Sequence, residues 1–207
     1  MPFTLGTDPR GNSFLHFQLP PLAPFGQKEI RVTARLLMFP DPGRTDFRPP
    51  PNPSLPPVAP EIAALAQQVA ARGEGDVTKR LFDWVTANIR YGGASGRDRG
   101  ALHALKSGEG DCTDMALLFS ALCRAQGIPS RTVGGFVCER NTNLSAASYH
   151  NWAEFFRHGR WWIADPSQKR FQPDGAAYVA FHIEEEGEGA RYQRFKIEGD
   201  QLRARMQ

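Results

Sequence analysis

Three side chains in this sequence could together carry out nucleophilic chemistry: the thiol of Cys112, the imidazole of His150 and the carboxylate of Asp165. A thiol attacks as its thiolate. An imidazole can accept the proton, and a carboxylate can hold that ring in one tautomer and balance its charge. Cys112 lies where Gly108-Glu-Gly-Asp111 gives way to an apolar run, at the expected start of a helix. The free N–H groups and dipole of a helix end favour an anion there. Asp111, next door, works against an anion and is read as spending its charge on the N-cap. Each residue also has an ordinary reading. A free cysteine is commonly a small buried hydrophobe, a histidine can be a hydrogen-bonded core residue, and an aspartate before Pro166 can simply form a turn. Cys123, mid-helix among leucines, and Cys138, at a strand end, keep that ordinary reading. For Cys112, His150 and Asp165 the conjunction favours chemistry.

Geometry joins His150 to Asp165. His158-Gly159 separates Trp152-Ala-Glu-Phe-Phe-Arg157 from Arg160-Trp-Trp-Ile-Ala-Asp165. It resembles the two-residue turn of a β-hairpin, although His is a poorer first residue than Asn or Asp. Such a turn sets Arg157 opposite Arg160, Phe156 opposite Trp161 and Trp152 opposite Asp165. His150 and Asp165 then share one face as diagonal neighbours, their Cα atoms roughly 7–8 Å apart and within side-chain reach. A loop with an odd number of residues, and no bulge, would place them on opposite faces. Pro166 ends the strand and holds Asp165 extended.

These residues need a helix and a sheet to position them, and the patterning supplies both. From Met115 to Ala125 apolar residues run almost all the way round a helix. Thr113, Ser120 and Arg124 fall within roughly 40° of one another at about 100° per residue. So narrow a polar stripe marks a central, buried helix, which Gly127-Ile-Pro ends. Two helices precede it. One opens at Pro60 and carries Ile62, Leu65, Ala66 and Val69 until Gly73, and the other runs from an N-cap at Asp76 through Leu81, Trp84, Val85 and Ile89. A short helical piece spans Ala101–Lys106, after a glycine-rich stretch that begins at Tyr91. Beyond the central helix the period becomes two. Strands are expected at Arg131–Cys138, Tyr149–Arg157, Arg160–Asp165, Ala177–Ile183 and Tyr192–Ile197, with an acidic turn at Glu184–Glu188 between the last two. Helices followed by strands make an α+β domain, with a mainly antiparallel sheet packed on the central helix. Upstream, Leu15, Phe17 and Leu19, and then Ile30, Val32, Ala34 and Leu36, alternate with polar residues. Residues 40–60 hold nine of the 17 prolines, which suits a semi-rigid connection. The expected organisation is an N-terminal β extension over 1–39, a Pro-rich linker over 40–60 and a catalytic domain over 61–207.

Composition narrows the class further. The 207 residues, 41% apolar and 23% charged, suit one globular domain with a small appendage. A net charge of +3 from scattered basic residues gives no support for nucleic-acid or polybasic membrane binding. No apolar run reaches the roughly 18 residues of a membrane span. The first twenty residues show no secretory leader, so a cytoplasmic location is expected. Three cysteines without C-x-x-C spacing argue against a disulfide framework or a zinc site. No other metal motif is present, and no cofactor is expected. Trp152, Trp161 and Trp162 are read as hairpin core rather than groove wall, and Arg131 as an anchor after the helix. His103, His158 and His182 have no partner pattern and are read as bystanders.

Four blocks carry a resemblance. Gly110-Asp-Cys112-Thr-Asp-Met-Ala116, Leu122-Cys-Arg-Ala-Gln-Gly-Ile-Pro-Ser-Arg131-Thr-Val-Gly-Gly, His150-Asn-Trp152-Ala-Glu154 and Trp162-Ile-Ala-Asp165-Pro resemble the transglutaminase-like superfamily of microbial proteins, over residues 60–170. The resemblance implies a papain-like fold with Cys112 as nucleophile, His150 as general base and acid, and Asp165 as its orienting partner. Asn151 and Ala153 depart from the pattern without touching a catalytic position. The expected reaction is cysteine-dependent hydrolysis of peptide or other amide bonds through a thioester. Acyl transfer to an amine is the alternative, and a non-catalytic interaction module the second alternative. The N–H of Cys112 is the expected oxyanion donor. Tyr91 is a weaker candidate for a second.

Overall fold

The computed structural model describes residues 3–8, 11–33, 57–94 and 99–183. Strands β1 (Phe3–Thr7) and β2 (Ser13–Phe17) form an antiparallel hairpin. Helices α1 (Pro60–Ala70) and α2 (Val77–Asn88), strand β3 (Arg90–Tyr91), helix α3 (Ala101–Ser107) and strand β4 (Glu109–Gly110) lead to helix α4 (Cys112–Ala125). Then come β5 (Ser130–Val137), β6 (His150–Arg157), β7 (Arg160–Asp165), β8 (Arg170–Phe171) and β9 (Tyr178–Ile183). These last five form one antiparallel sheet in the order β8-β7-β6-β5-β9. The architecture is α+β.

Local chemistry explains where the helices start and stop. Pro60 opens α1, where a missing N–H costs nothing. The Asp76 carboxylate caps α2 by accepting the Thr78 N–H at 2.9 Å. On α4 the Asp111 side chain accepts the N–H groups of Thr113 and Asp114, while the Asp114 side chain accepts the N–H of Asp111. This is a reciprocal capping box. The helix ends at Gly127, whose φ of 71° is left-handed, with the Ile128 N–H closing back onto the Cys123 carbonyl at 3.0 Å.

Helix α4 is the centre of the core. Met115, Ala116, Leu118, Phe119, Ala121, Leu122 and Cys123 are all buried, packed by Ile62, Ala66, Leu81 and Val85 from α1 and α2 and by Ala153, Phe155 and Ala164 from the sheet. Each large apolar side chain so buried contributes about 1.5–3 kcal/mol. The narrow polar stripe faces protein, not water. Ser130 Oγ donates to the Glu154 carbonyl at 2.9 Å, and the Ser120 hydroxyl lies 3.1 Å from that of Ser130 and 3.4 Å from that of Thr132, so hydroxyls that would be costly to leave unpaired find partners.

The sheet is strongly curled. Tyr178 on β9 reaches Asp165 on β7 at 3.1 Å, although β5 and β6 lie between the two strands. Arg170 on β8 likewise pairs with Glu139, just past β5. Trp152 lies on the concave face with no exposed surface. Strand twist and a register shift between Gly134 and Gly135 produce this curl. A Cβ on Gly135 would stand 2.0 Å from the Val179 carbonyl oxygen, so only glycine permits β9 to approach. At the far end of β9, Asn12 at the β1–β2 turn bonds both main-chain groups of Ile183. Its Nδ2 donates to the carbonyl at 3.0 Å and its Oδ1 accepts the N–H at 2.7 Å.

Some expectations fail. Residues 30–33 form no strand. Ile30 and Val32 are 40% and 59% exposed, so their alternation has no buried face to serve. Strand β1 falls within the expected β extension, although no alternation marks it. Strands β3, β4 and β8 have two residues each, too few for any period to register. Residues 34–36, most of the Pro-rich segment, the acidic turn and the strand at Tyr192–Ile197 lie outside the described residues.

Candidate active site

Cys112 is the first residue of α4, held there by its flanks. Strand β3 runs parallel to β4, pairing Tyr91 with Gly110, and this delivers the chain to the helix start. Gly110 is required because a Cβ there would meet the Asp114 Cβ at 2.8 Å. Asp114 is fully buried. Besides the Asp111 N–H, it accepts the Gly100 N–H at 2.9 Å and the Arg99 Nε–H at 3.0 Å. The capping carboxylate of Asp111 takes the N–H groups of Thr113 and Asp114, not that of Cys112.

His150 and Asp165 are brought together by the β6–β7 hairpin. Its ladder pairs Arg157 with Arg160, Phe156 with Trp161 and Ala153 with Ala164, the register of a two-residue turn. His158 and Gly159 both adopt positive φ, 52° and 79°, as a type I′ turn requires. The His150 Nε2–H donates to Asp165 Oδ2 at 2.7 Å. Carboxylates only accept, so Nε2 carries a proton and Nδ1 is the nitrogen left for the neighbouring Cys112 thiol. Asp165 is fully buried, and its Oδ1 accepts from Ser167 Oγ at 2.9 Å and Gln168 N–H at 3.1 Å.

Burial would lower the pKa of His150. The hydrogen bonds to Asp165 and Cys112, with their charges, outweigh it and push the ring up to about 9 from the ordinary 6.5. The folded protein therefore holds the proton more tightly than the unfolded chain. The stability this contributes is complete below pH 6.5 and is lost as pH rises through about 9. Chemical denaturation across that window should show stability falling with pH in the wild type, with a clearly flatter profile in Asp165→Asn. Identical slopes would remove the pair from the site's electrostatics.

Neighbouring residues complete the picture. Asn151, which the sequence places at no catalytic position, has its Nδ2 3.8 Å from Cys112 Sγ and 3.1 Å from Thr113 Oγ1. His150 and Asn151 point to opposite faces of β6, and the end of α4 stands over the start of that strand, so Cys112 meets both. Tyr178, also unremarked in the sequence, donates its hydroxyl to Asp165 Oδ2 at 3.1 Å. Tyr91 is half-exposed. Burial and then the charges of Cys112, Asp111 and Asp165 push its phenol up. A cleft of about 330 Å³ adjoins the site, lined by Asn88, Tyr91, Met115, Pro166, Ser167 and Lys169 among others. Burial pushes both other thiols up, Cys123 strongly in the core and Cys138 at the end of β5. Arg131 pairs with Glu154 at 2.8 Å and lies over Trp161, the anchoring expected of it. Among the described residues no group of three His, Cys, Asp or Glu side chains could hold a metal ion.

A thiol at a helix N-terminus, facing an imidazole bonded to a buried carboxylate, is an arrangement able to support nucleophilic chemistry by the thiol. The chain belongs to the transglutaminase-like superfamily, whose family model matches residues 63–166, half of its length. Among solved structures it is similar to a candidate cysteine protease from Cytophaga hutchinsonii, with 26% identity over 59% of this chain and 41% of that one, at a TM-score of 0.49. It is also similar to the periplasmic domain of TgpA from Pseudomonas aeruginosa, with 21% identity over 57% of this chain and 47% of that one, at a TM-score of 0.42. A candidate protease from Parabacteroides distasonis shares 17% identity over 50% of this chain and 22% of that one, at a TM-score of 0.42. The chain thus spans less than half of each. No curated protein matches it.

Proposed function

We propose that this protein is a cysteine hydrolase of peptide or other amide bonds, with Cys112, His150 and Asp165 as its catalytic residues. The observation that carries this reading is Cys112 at the start of α4 beside an imidazole whose other nitrogen is bonded to Asp165. His150 Nδ1 takes the thiol proton, and Asp165 balances the imidazolium. The thiolate adds to the substrate carbonyl, whose oxygen meets the uncapped N–H of Cys112 at the helix end. The carbon–nitrogen bond breaks as the imidazolium gives its proton to the departing amine, leaving a thioester. Water, deprotonated by the same ring, attacks the thioester, releasing a carboxylic acid and restoring the thiol. The adjoining cleft reaches Met115, one turn along α4, and Pro166, directly after Asp165. It could take a substrate segment flanking the reacting bond, since none of the three catalytic side chains lines it.

The test begins with the thiols. Below pH 7, iodoacetamide followed by mass spectrometry should label Cys112 well before Cys123 and Cys138, whose thiols burial holds protonated. Equal rates in the folded protein would leave only an interaction module on this fold. A screen of peptides with and without added primary amines should then yield free acids. Amide products in their place would make the protein an acyl transferase.

A further inference from the structure

Asp165 Oδ2 receives two donors, and only one of them is the histidine. The Tyr178 hydroxyl donates to the same oxygen at 3.1 Å, beside the 2.7 Å bond from His150 Nε2. The tyrosine ring meets Trp152 edge-on, centroids 5.1 Å apart, and Trp152 in turn lies in a stacked orientation to the His150 ring, at 6.4 Å. The Arg170 charge, on β8, lies close enough to act on the phenol while Arg170 pairs with Glu139. Tyr178 therefore touches the carboxylate directly and the imidazole through one aromatic ring. It comes from β9, beyond the matched residues 63–166.

We propose that Tyr178 is a fourth, positioning member of the site, whose hydroxyl holds the Asp165 oxygen used by His150 and limits how much of its charge the ring receives. The proposal rests on the cysteine-hydrolase reading for its catalytic meaning, though not for its test. Two donors sharing one carboxylate oxygen compete for its electron density, so the phenol weakens the pull of Asp165 on the imidazolium. A site in which His150 must take a proton and then surrender it to an amine gains from a ring that is not held too strongly charged. Burial and then the Asp165 charge push the Tyr178 phenol up, so it remains a donor throughout the working range. Among the described residues, the titratable and charged groups facing this cluster are Cys112 and Asp111 at the start of α4, Tyr91 on β3, and Arg170 with Glu139.

The experiment is an NMR titration of the full chain labelled with ¹⁵N in its histidines, comparing wild type with Tyr178→Phe. Removing only the hydroxyl should move the His150 titration upward by roughly half to one pH unit, because Asp165 Oδ2 then serves the ring alone. Site-specific 3,5-difluorotyrosine at 178, a stronger donor of nearly the same shape, should move it downward, and this variant suffices if Tyr178→Phe does not fold. A loss of thermal stability with the His150 titration unmoved or lowered in Tyr178→Phe would make the tyrosine a packing residue and overturn the proposal. So would an unmoved titration in the fluorinated protein. Failure of the hydrolase reading would appear elsewhere, as absence of selective Cys112 labelling, and leaves this readout intact.

Discussion

Cys112→Ala should abolish turnover of any amide substrate while the protein keeps its circular dichroism and its melting temperature. The nucleophile is lost, but the change removes a single sulfur from a half-buried helix-start position that packs little of the core. His150→Ala should be nearly as severe, by roughly 10²–10⁴-fold, since neither the thiol nor the leaving amine then has a proton partner. Asp165→Asn should be milder yet still large, for a specific reason. Both Asp165 oxygens accept from donors: His150 and Tyr178 on one, Ser167 and Gln168 on the other. An amide NH₂ must therefore oppose a donor on one side. If it faces His150, the ring takes the other tautomer and points Nδ1–H at the thiol, where a base is needed. The three act as one unit, so Cys112→Ala/His150→Ala should be no slower than Cys112→Ala alone. Single-turnover kinetics on a substrate from the screen measure all four variants. A folded Cys112→Ala protein with wild-type turnover would refute the mechanism.

The largest effect on stability is expected from Asp114→Ala. This carboxylate is fully buried and gathers the Arg99 guanidinium with the N–H groups of Gly100 and Asp111. Truncation strands a mostly buried cation and leaves two backbone donors without acceptors. Breaking a buried pair from one side costs about 3–5 kcal/mol. Urea denaturation should register a loss of that size. Asp114→Asn, which keeps an acceptor oxygen but not the charge, should fall between the variant and wild type. Because the same contacts tether the approach to Cys112, the alanine variant should also alkylate less selectively at that thiol. A loss below about 1 kcal/mol would show that water or neighbouring groups replace the carboxylate.

The legible parts of this fold were those set by local chemistry. The His158-Gly159 turn fixes the β6–β7 register by its length alone, so the shared face of His150 and Asp165 could be counted off in residues. The narrow polar stripe of α4 and the Asp76 cap were readable for the same reason. Asp111 was readable as a cap, whereas Asp114 was not, because the usual reciprocal partner three residues on is Glu or Gln. Tyr178 left no signal. It lies three strands from Asp165 across the sheet, and only the curl allowed by Gly135 brings the two together. Asn151 looked neutral because its meaning depends on how the end of α4 stands over β6, a tertiary fact that no period in the chain encodes. The two-residue strands β3 and β4, which set Tyr91 beside the start of α4, were too short for alternation to mark.

The bond between Asn12 and Ile183 imitates strand pairing at one residue. Among the described residues strand β9 is an outer strand of the sheet, and such a rim presents peptide groups on which a further strand can zip. A side-chain amide carries the same donor and acceptor as a peptide group, so Asn12 occupies both main-chain groups of Ile183 as a neighbouring strand would. Unlike a strand it ends there, with no next residue to continue the lattice. At this one point the first hairpin fills the place that a pairing strand would take, on the strand that bears Tyr178.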